Sequence, residues 1–242
     1  MTTSAPPLPT QRLHGRRLTL AIAALAAGGF AIGTTEFTIM GLLEEMRADL
    51  GIDYAQGGHV ISAYALGVVI GAPVLATIGA KKPQRAVAIA LMLVIALANL
   101  SSFFAAGFGW MLASRFLSGL PHGAYFGVAA VIAATLADPA RRGRAIAEVM
   151  LGLSIANVVG VPFATWLGQQ FGWRSMFLLV GLIGGVTVVL IRAFVPDVPV
   201  RPGASIRAEL SVLRRPQLWL TLLIGIVGFG GFFAVYCSSP RS

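Results

Sequence analysis

Apolar residues run along the chain in seven long, continuous stretches: Leu18–Leu43, Gly57–Ile78, Ala86–Phe104, Trp110–Leu136, Ala145–Phe171, Ser175–Phe194 and Pro216–Tyr236. A helix needs about 20 mostly apolar residues to cross the hydrocarbon core of a bilayer. Backbone groups there must pair within the protein, and a continuous run does so as a helix. A membrane β-barrel would instead show short alternating strands. The first run is too long for a signal peptide, and no clear cleavage pattern follows it, so it reads as the first of seven spans. The pattern predicts a disordered, Pro-rich tail over 1–17, a six-helix bundle over 18–194, a basic loop over 195–215, a seventh helix over 216–236 and an aberrant tail over 237–242.

Composition agrees. Hydrophobic residues make up 57% of the chain and charged residues only 11%, against about 25% charged in a typical soluble domain, so lipid must cover part of the surface. The net charge of +9 points away from nucleic acid once its distribution is followed. Arg12, Arg16 and Arg17 precede the first span. Lys81, Lys82 and Arg85 lie in the second loop, Arg141, Arg142 and Arg144 in the fourth, and Arg192, Arg201, Arg207, Arg214 and Arg215 around the sixth. The alternate loops hold only Arg47 and Arg174, and the first of them is acidic, with Glu44, Glu45, Asp49 and Asp53. By the positive-inside rule the N-terminus and the even loops face the cytoplasm of a bacterial inner membrane.

Cys237 is the single cysteine, so no internal disulfide forms, and no Cys/His spacing suits a metal. Gly28-Gly29 and Gly228-x-Gly230-Gly231 lie inside apolar runs without the strand–turn–helix setting of a phosphate loop. No histidine follows Gly152-Leu-Ser154, so a serine nucleophile there would lack its base. The reading is a non-enzyme without cofactor.

The second and fifth spans share a pattern. Gly71-Ala-Pro73, Gly79 and Arg85 recur at equal spacing as Gly160-Val-Pro162, Gly168 and Arg174. The first copy ends inside and the second outside, which is the mark of inverted three-helix repeats in secondary transporters.

Few residues within the spans can carry chemistry. Glu36 interrupts the first, and a charge at a helix centre costs about 2.5 kcal/mol or more unless it is protonated, paired or wet. It is either solvated near the outer interface or a proton carrier. Arg115, in the fourth span, either snorkels outward or pairs with a carboxylate. His122, about two turns deeper, is either a hydrogen-bonded structural residue or a proton site. Pro121 and Gly123 beside it suggest a kink. Asn157, Gly160 and Pro162 fit close helix packing, with Asn157 able to bond across helices, and are compatible with gating. Glu148 is placed to pair with Arg144 at i,i+4.

Gly33-Thr-Thr-Glu-Phe37, Ile39-Met-Gly-Leu-Leu43, Ser62-Ala-Tyr-Ala-Leu-Gly67, Arg115-Phe-Leu-Ser-Gly-Leu-Pro-His-Gly123 and Ala156-Asn-Val-Val-Gly-Val-Pro162 together resemble the major facilitator superfamily. Within it, they resemble the drug:proton antiporter branch that includes sugar efflux and chloramphenicol-resistance proteins. The resemblance covers about residues 18–236. It implies a rocker-switch antiporter of twelve helices in two six-helix halves, with the substrate cavity between them. It places Glu36 on the first-span acidic position, Arg115 on the fourth-span arginine linked to proton transfer, and Gly160 and Pro162 on the fifth-span antiporter motif, whose full glycine spacing is not met. Lys81, Lys82 and Arg85 keep the charge of the loop motif after the second span, but Ala80 stands in place of its acidic residue. The resemblance therefore implies an all-α N-terminal half plus a seventh helix, moving drugs or sugars against protons, with the bilayer, a small-molecule substrate, protons and a separate C-terminal half as partners. The alternative is a non-transporting remnant or regulatory membrane protein. The ending Cys237-Ser-Ser-Pro-Arg-Ser242 changes character abruptly, as a frameshift, premature stop or gene-model error would produce.

With Cys237 replaced by serine, a membrane-impermeant thiol reagent added outside should label a cysteine introduced at Asp53 and spare one at Gln84 or Arg142. The reverse pattern would invert the topology.

Overall fold

A computed structural model describes residues 12–198 and 216–238. Most of the expected N-terminal tail, the loop residues 199–215 and the last four residues lie outside the described residues. The described helices are α1 (Gly15–Gly41), α2 (Leu43–Leu50), α3 (Tyr54–Gly79), α4 (Gln84–Phe103), α5 (Phe108–Gly119), α6 (Pro121–Leu136), α7 (Arg142–Ile155), α8 (Val161–Phe171), α9 (Arg174–Phe194) and α10 (Pro216–Ser238). A 3₁₀ turn at Pro139–Arg141 precedes α7, and a π-turn at Ala156–Gly160 joins α7 to α8. Residues up to Val200 form one compact unit and those from Arg201 another. The first unit holds six segments long and apolar enough to cross a membrane: α1, α3, α4, α5 with α6, α7 with α8, and α9. The second contains α10, where the seventh span was expected, with its apolar stretch at Trp219–Gly228.

Three local features add to the expected spans. In the first loop Leu43–Leu50 forms a helix closed by Gly51 at φ 63°, a left-handed position that glycine adopts without steric cost. The fourth span is assigned as two helices that meet at Leu120, which keeps helical dihedrals and a bond to the Phe116 carbonyl, while Pro121 lacks the N–H to continue the ladder and suits a helix start. The fifth span is interrupted by the π-turn just before Pro162. Pro73, by contrast, sits inside the unbroken α3, so the two copies of the repeated pattern differ locally.

The packing follows the inverted repeat. α3 lies against α5 and α6, as α7 and α8 lie against α1; α4 meets α5 and α6, as α9 meets α1; and α4 packs on α9. Small residues set these crossings. A Cβ at Gly67 or Gly71 would collide with the backbone of Phe116 or Leu120, one at Gly119 with the carbonyl of Tyr64, and one at Gly152 with the backbone of Ala26. Without a strong hydrophobic drive between helices in lipid, such close approach supplies the contact.

The loop charges close the ends. Asp53 and Gln56 form a capping box at the start of α3, with bonds of 2.7 and 3.0 Å. Arg47 pairs with Glu44 at 2.8 Å, and Arg144 with Glu148 at 2.8 Å as expected. Arg85, at the start of α4, donates to Asp197 at 3.1 Å and to the Arg192 carbonyl in the last turn of α9. Arg174, at the start of α9, donates to Asp49 and, at 2.8 Å, to the Ala105 carbonyl just past α4. Each arginine places its cation on the carbonyl end of the other helix, the favourable pole of the helix dipole. The Arg174 bond, with one from the Trp173 indole at 3.2 Å, holds the Asp49 carboxyl below its ordinary pKa.

Gly71→Ala should destabilise the bundle by about 1–3 kcal/mol, the usual cost of overpacking, seen as a lower midpoint of thermal unfolding in detergent. Gly127→Ala, whose Cβ would meet nothing within 4 Å, should leave the midpoint unchanged or slightly raised.

Candidate functional site

One apolar cluster gathers Leu25, Met92, Tyr125, Val149 and Ile191; another gathers Ile39, Met46, Met111, Trp173 and Phe177. On α1, α4 and α5 the residues between these clusters are polar and buried: Thr34, Thr35 and Thr38, then Asn99 and Ser102, then Ser114, Arg115 and Ser118. A buried polar layer separates two apolar ones.

Arg115 is the centre of that layer and is only 1% exposed. It does not snorkel, and among the described residues it has no carboxylate at ion-pair distance. Its Nη1 donates to Thr35 Oγ1 at 3.0 Å and its Nη2 to the Thr35 carbonyl at 3.4 Å. Thr35 Oγ1 passes its own hydrogen to Asn99 Oδ1 at 2.6 Å, and Asn99 Nδ2 donates to the Ile95 carbonyl at 2.8 Å. Ser102 and Ser114 share a bond of 2.8 Å beside it. The guanidinium carbon stands 4.3 Å from the centre of the Tyr64 ring and 5.8 Å from that of Phe177, both within cation–π range. Burial in a dry interior requires such partners, because an unmet polar group costs about 1–3 kcal/mol. Arg115 Nε, Ser118 Oγ and Thr38 Oγ1 nevertheless have no partner.

Glu36 follows Thr35 on α1 and is half-buried. His122 lies on α6, with its Nδ1 2.9 Å from the Tyr64 hydroxyl and its ring 5.4 Å from that of Phe126. The structure thus brings Arg115 and His122 together through Tyr64, with Glu36 next in the chain to the threonine that holds Arg115.

The other predicted residues lie elsewhere. Asn157 is exposed and donates to the Leu153 carbonyl of its own helix at 3.0 Å, so it does not bond across helices. The π-turn supplies the reason, because it turns residues 157–159 outward and keeps Ala156 and Gly160 inward. Gly160 faces Thr34 and Phe30 of α1, and Gly71 faces Leu120, so neither position has room for a Cβ, with Pro162 and Pro73 in the same two spans. Lys81 and Lys82 are exposed, and Arg85 joins α4 to the end of α9.

Thr35, Tyr64 and Asn99 were not singled out in the sequence. The signal was there in part, since an amide inside an otherwise apolar run has to be met by a neighbour. Which neighbour it meets depends on helix rotation, which periodicity does not give.

Thr35→Val should destabilise the bundle by about 1–3 kcal/mol, because it strips partners from both Arg115 and Asn99 in the interior. Thr34→Val, whose hydroxyl only donates to the Phe30 carbonyl of its own helix at 2.8 Å, should cost much less. Unfolding midpoints of the two variants in detergent make the comparison.

Comparison with known proteins places this geometry. Residues 25–241 match the Major Facilitator Superfamily. The chain is 38% identical over 213 residues to the inner membrane transport protein YdhP of Escherichia coli, an alignment covering 88% of this chain and 55% of that protein. It is 34% identical to the putative transporter AraJ of the same species, over 88% of this chain and 54% of that protein. It is 30% identical to a chloramphenicol resistance protein of Streptomyces lividans, over 88% and 55%. The chain spans about half the length of these curated relatives. Among solved structures, a bacterial homologue of the human lysosomal transporter Spinster, inward-facing and unoccupied, superposes with a TM-score of 0.68 at 16% identity, over 78% of this chain and 45% of that one.

Proposed function

Since the chain belongs to the Major Facilitator Superfamily, we propose that it is the N-terminal half of a proton-coupled efflux transporter in which Glu36 carries the coupled proton. The observation that supports this most directly is the polar layer, in which the half-buried Glu36 follows the threonine that holds a fully buried arginine, and that arginine has no carboxylate at ion-pair distance among the described residues. Glu148, another acidic residue in a spanning segment, is already paired with Arg144 in the first half of α7, which favours Glu36 as the coupling group.

Antiport needs one site that favours the proton in one conformation and the substrate in the other, so that each ligand shifts the same equilibrium. Glu36 meets the chemical part of that demand. Protonated, it is neutral and leaves the Arg115 charge uncompensated; ionised, it answers that charge and can take a donor or cationic group of a substrate. Arg115 biases the exchange from a position fixed by Thr35 and Tyr64. Efflux of a drug-like or sugar substrate, a bacterial inner-membrane location and a cytoplasmic N-terminus are part of the same proposal. They rest on the charge distribution of the loops and on the names of the relatives. A second six-helix half would complete the cavity.

The test is Glu36→Gln in this chain continued by a second half, in inverted membrane vesicles. Substrate-driven proton movement should fall to background, while binding of a neutral substrate survives. Proton-coupled efflux at the parent level would make Glu36 structural and assign the coupling acid to the other half.

A further inference from the structure

Tyr64 touches both Arg115 and His122, and it is 4% exposed. Its ring face carries the guanidinium, and its hydroxyl lies 2.9 Å from His122 Nδ1. Two assignments of the hydrogen between them are possible. If Nδ1 held a proton and donated it, the phenol oxygen would accept and its own hydrogen would need another acceptor. Among the described residues the Tyr64 hydroxyl has no partner but His122. A buried hydroxyl hydrogen left unmet carries the full desolvation cost, whereas an imidazole nitrogen is a ready acceptor. The Tyr64 hydroxyl therefore donates, Nδ1 accepts, and the imidazole proton sits on Nε2.

From this we infer that Tyr64 is the positioning residue of the site, fixing His122 as the Nε2–H tautomer so that it offers a neutral N–H donor to a substrate oxygen. Nε2 has no hydrogen-bond partner among the described residues, and the ring is half-buried rather than enclosed. The donor therefore has room for a ligand. Resting on the transporter reading above, this deepens its substrate class. Glu36 answers a donor or cationic group, and His122, held on the Tyr64 hydroxyl, answers a carbonyl, hydroxyl or ether oxygen. A molecule carrying both groups fits better than a purely apolar cation. A polar site of this kind discriminates because an analogue lacking the oxygen leaves the donor unmet.

The tautomer is directly readable. In the full chain, labelled with ¹⁵N-histidine and held in lipid nanodiscs, the His122 signals are those lost in His122→Asn. They should show an unprotonated Nδ1 and a protonated Nε2. Tyr64→Phe keeps the ring under Arg115 but removes the hydroxyl, and should release His122 into a mixture of tautomers. Titration with dimethylacetamide, an oxygen acceptor with no donor, should move the Nε2–H resonance of His122 more than that of the exposed His59. A proton on Nδ1 in the parent protein would overturn the proposal, even if the Tyr64→Phe chain failed to fold. So would an unchanged tautomer in Tyr64→Phe, or a dimethylacetamide response no larger than that of His59. None of these readouts needs transport, so failure of the Glu36 test with the tautomer intact would remove proton coupling and leave the positioning role standing.

Discussion

A buried guanidinium that has no carboxylate within ion-pair reach among the described residues constrains everything around it. Taking an ion out of water costs several kcal/mol even after relaxation, and Arg115 is almost wholly enclosed. Its donors must be met by neutral oxygens and ring faces, which come from α1, α3 and, through Thr35, α4. Those helices have to approach closely enough for short bonds. Gly67, Gly71 and Gly119 at the crossing of the second and fourth spans leave no space for a Cβ, and that is what permits the approach. The glycine positions and the polar layer are one requirement expressed in two kinds of residue.

The same layer organises the apolar part of the protein. Because buried polar side chains occupy the later turns of α1, α4 and α5, the hydrophobic core is divided into two clusters, each with an ion pair of loop and helix-end residues near its outer end. The cluster around Met92 and Ile191 ends where Arg85 meets Asp197, and the cluster around Met111 and Phe177 ends where Arg174 meets Asp49. The site is therefore built from helical residues rather than from loops.

Much of this was legible in the residues. The six spans of the bundle were readable because length and apolar continuity are properties of single segments, and their pairing followed the repeated Gly-x-Pro pattern. The pairing of Arg144 with Glu148 was readable because it depends on helix spacing alone. What escaped notice was the product of packing. Asn99 is a lone amide in the third span, and nothing in the sequence links it to a threonine 64 positions earlier. Asn157 looked equally fit to bond across helices, yet one extra residue in a π-turn rotates it outward. The short helix after Gly41 carries too many charged residues to register as a hydrophobic pattern, and its end is set by Gly51 in a left-handed conformation.

The two arginines that join α4 and α9 have a mechanical meaning. Each helix is pinned at its start to the finish of the other, one pin at either end of the pair. Two rods fastened in this way resist shear. Sliding one past the other by a helical turn, 5.4 Å, would break both fastenings at once, whereas tilting the pair as a body breaks neither. The pair is thus a stiff spine for the six-span unit. Compliance is left to the π-turn before Pro162, which sits in the fifth span and outside the spine.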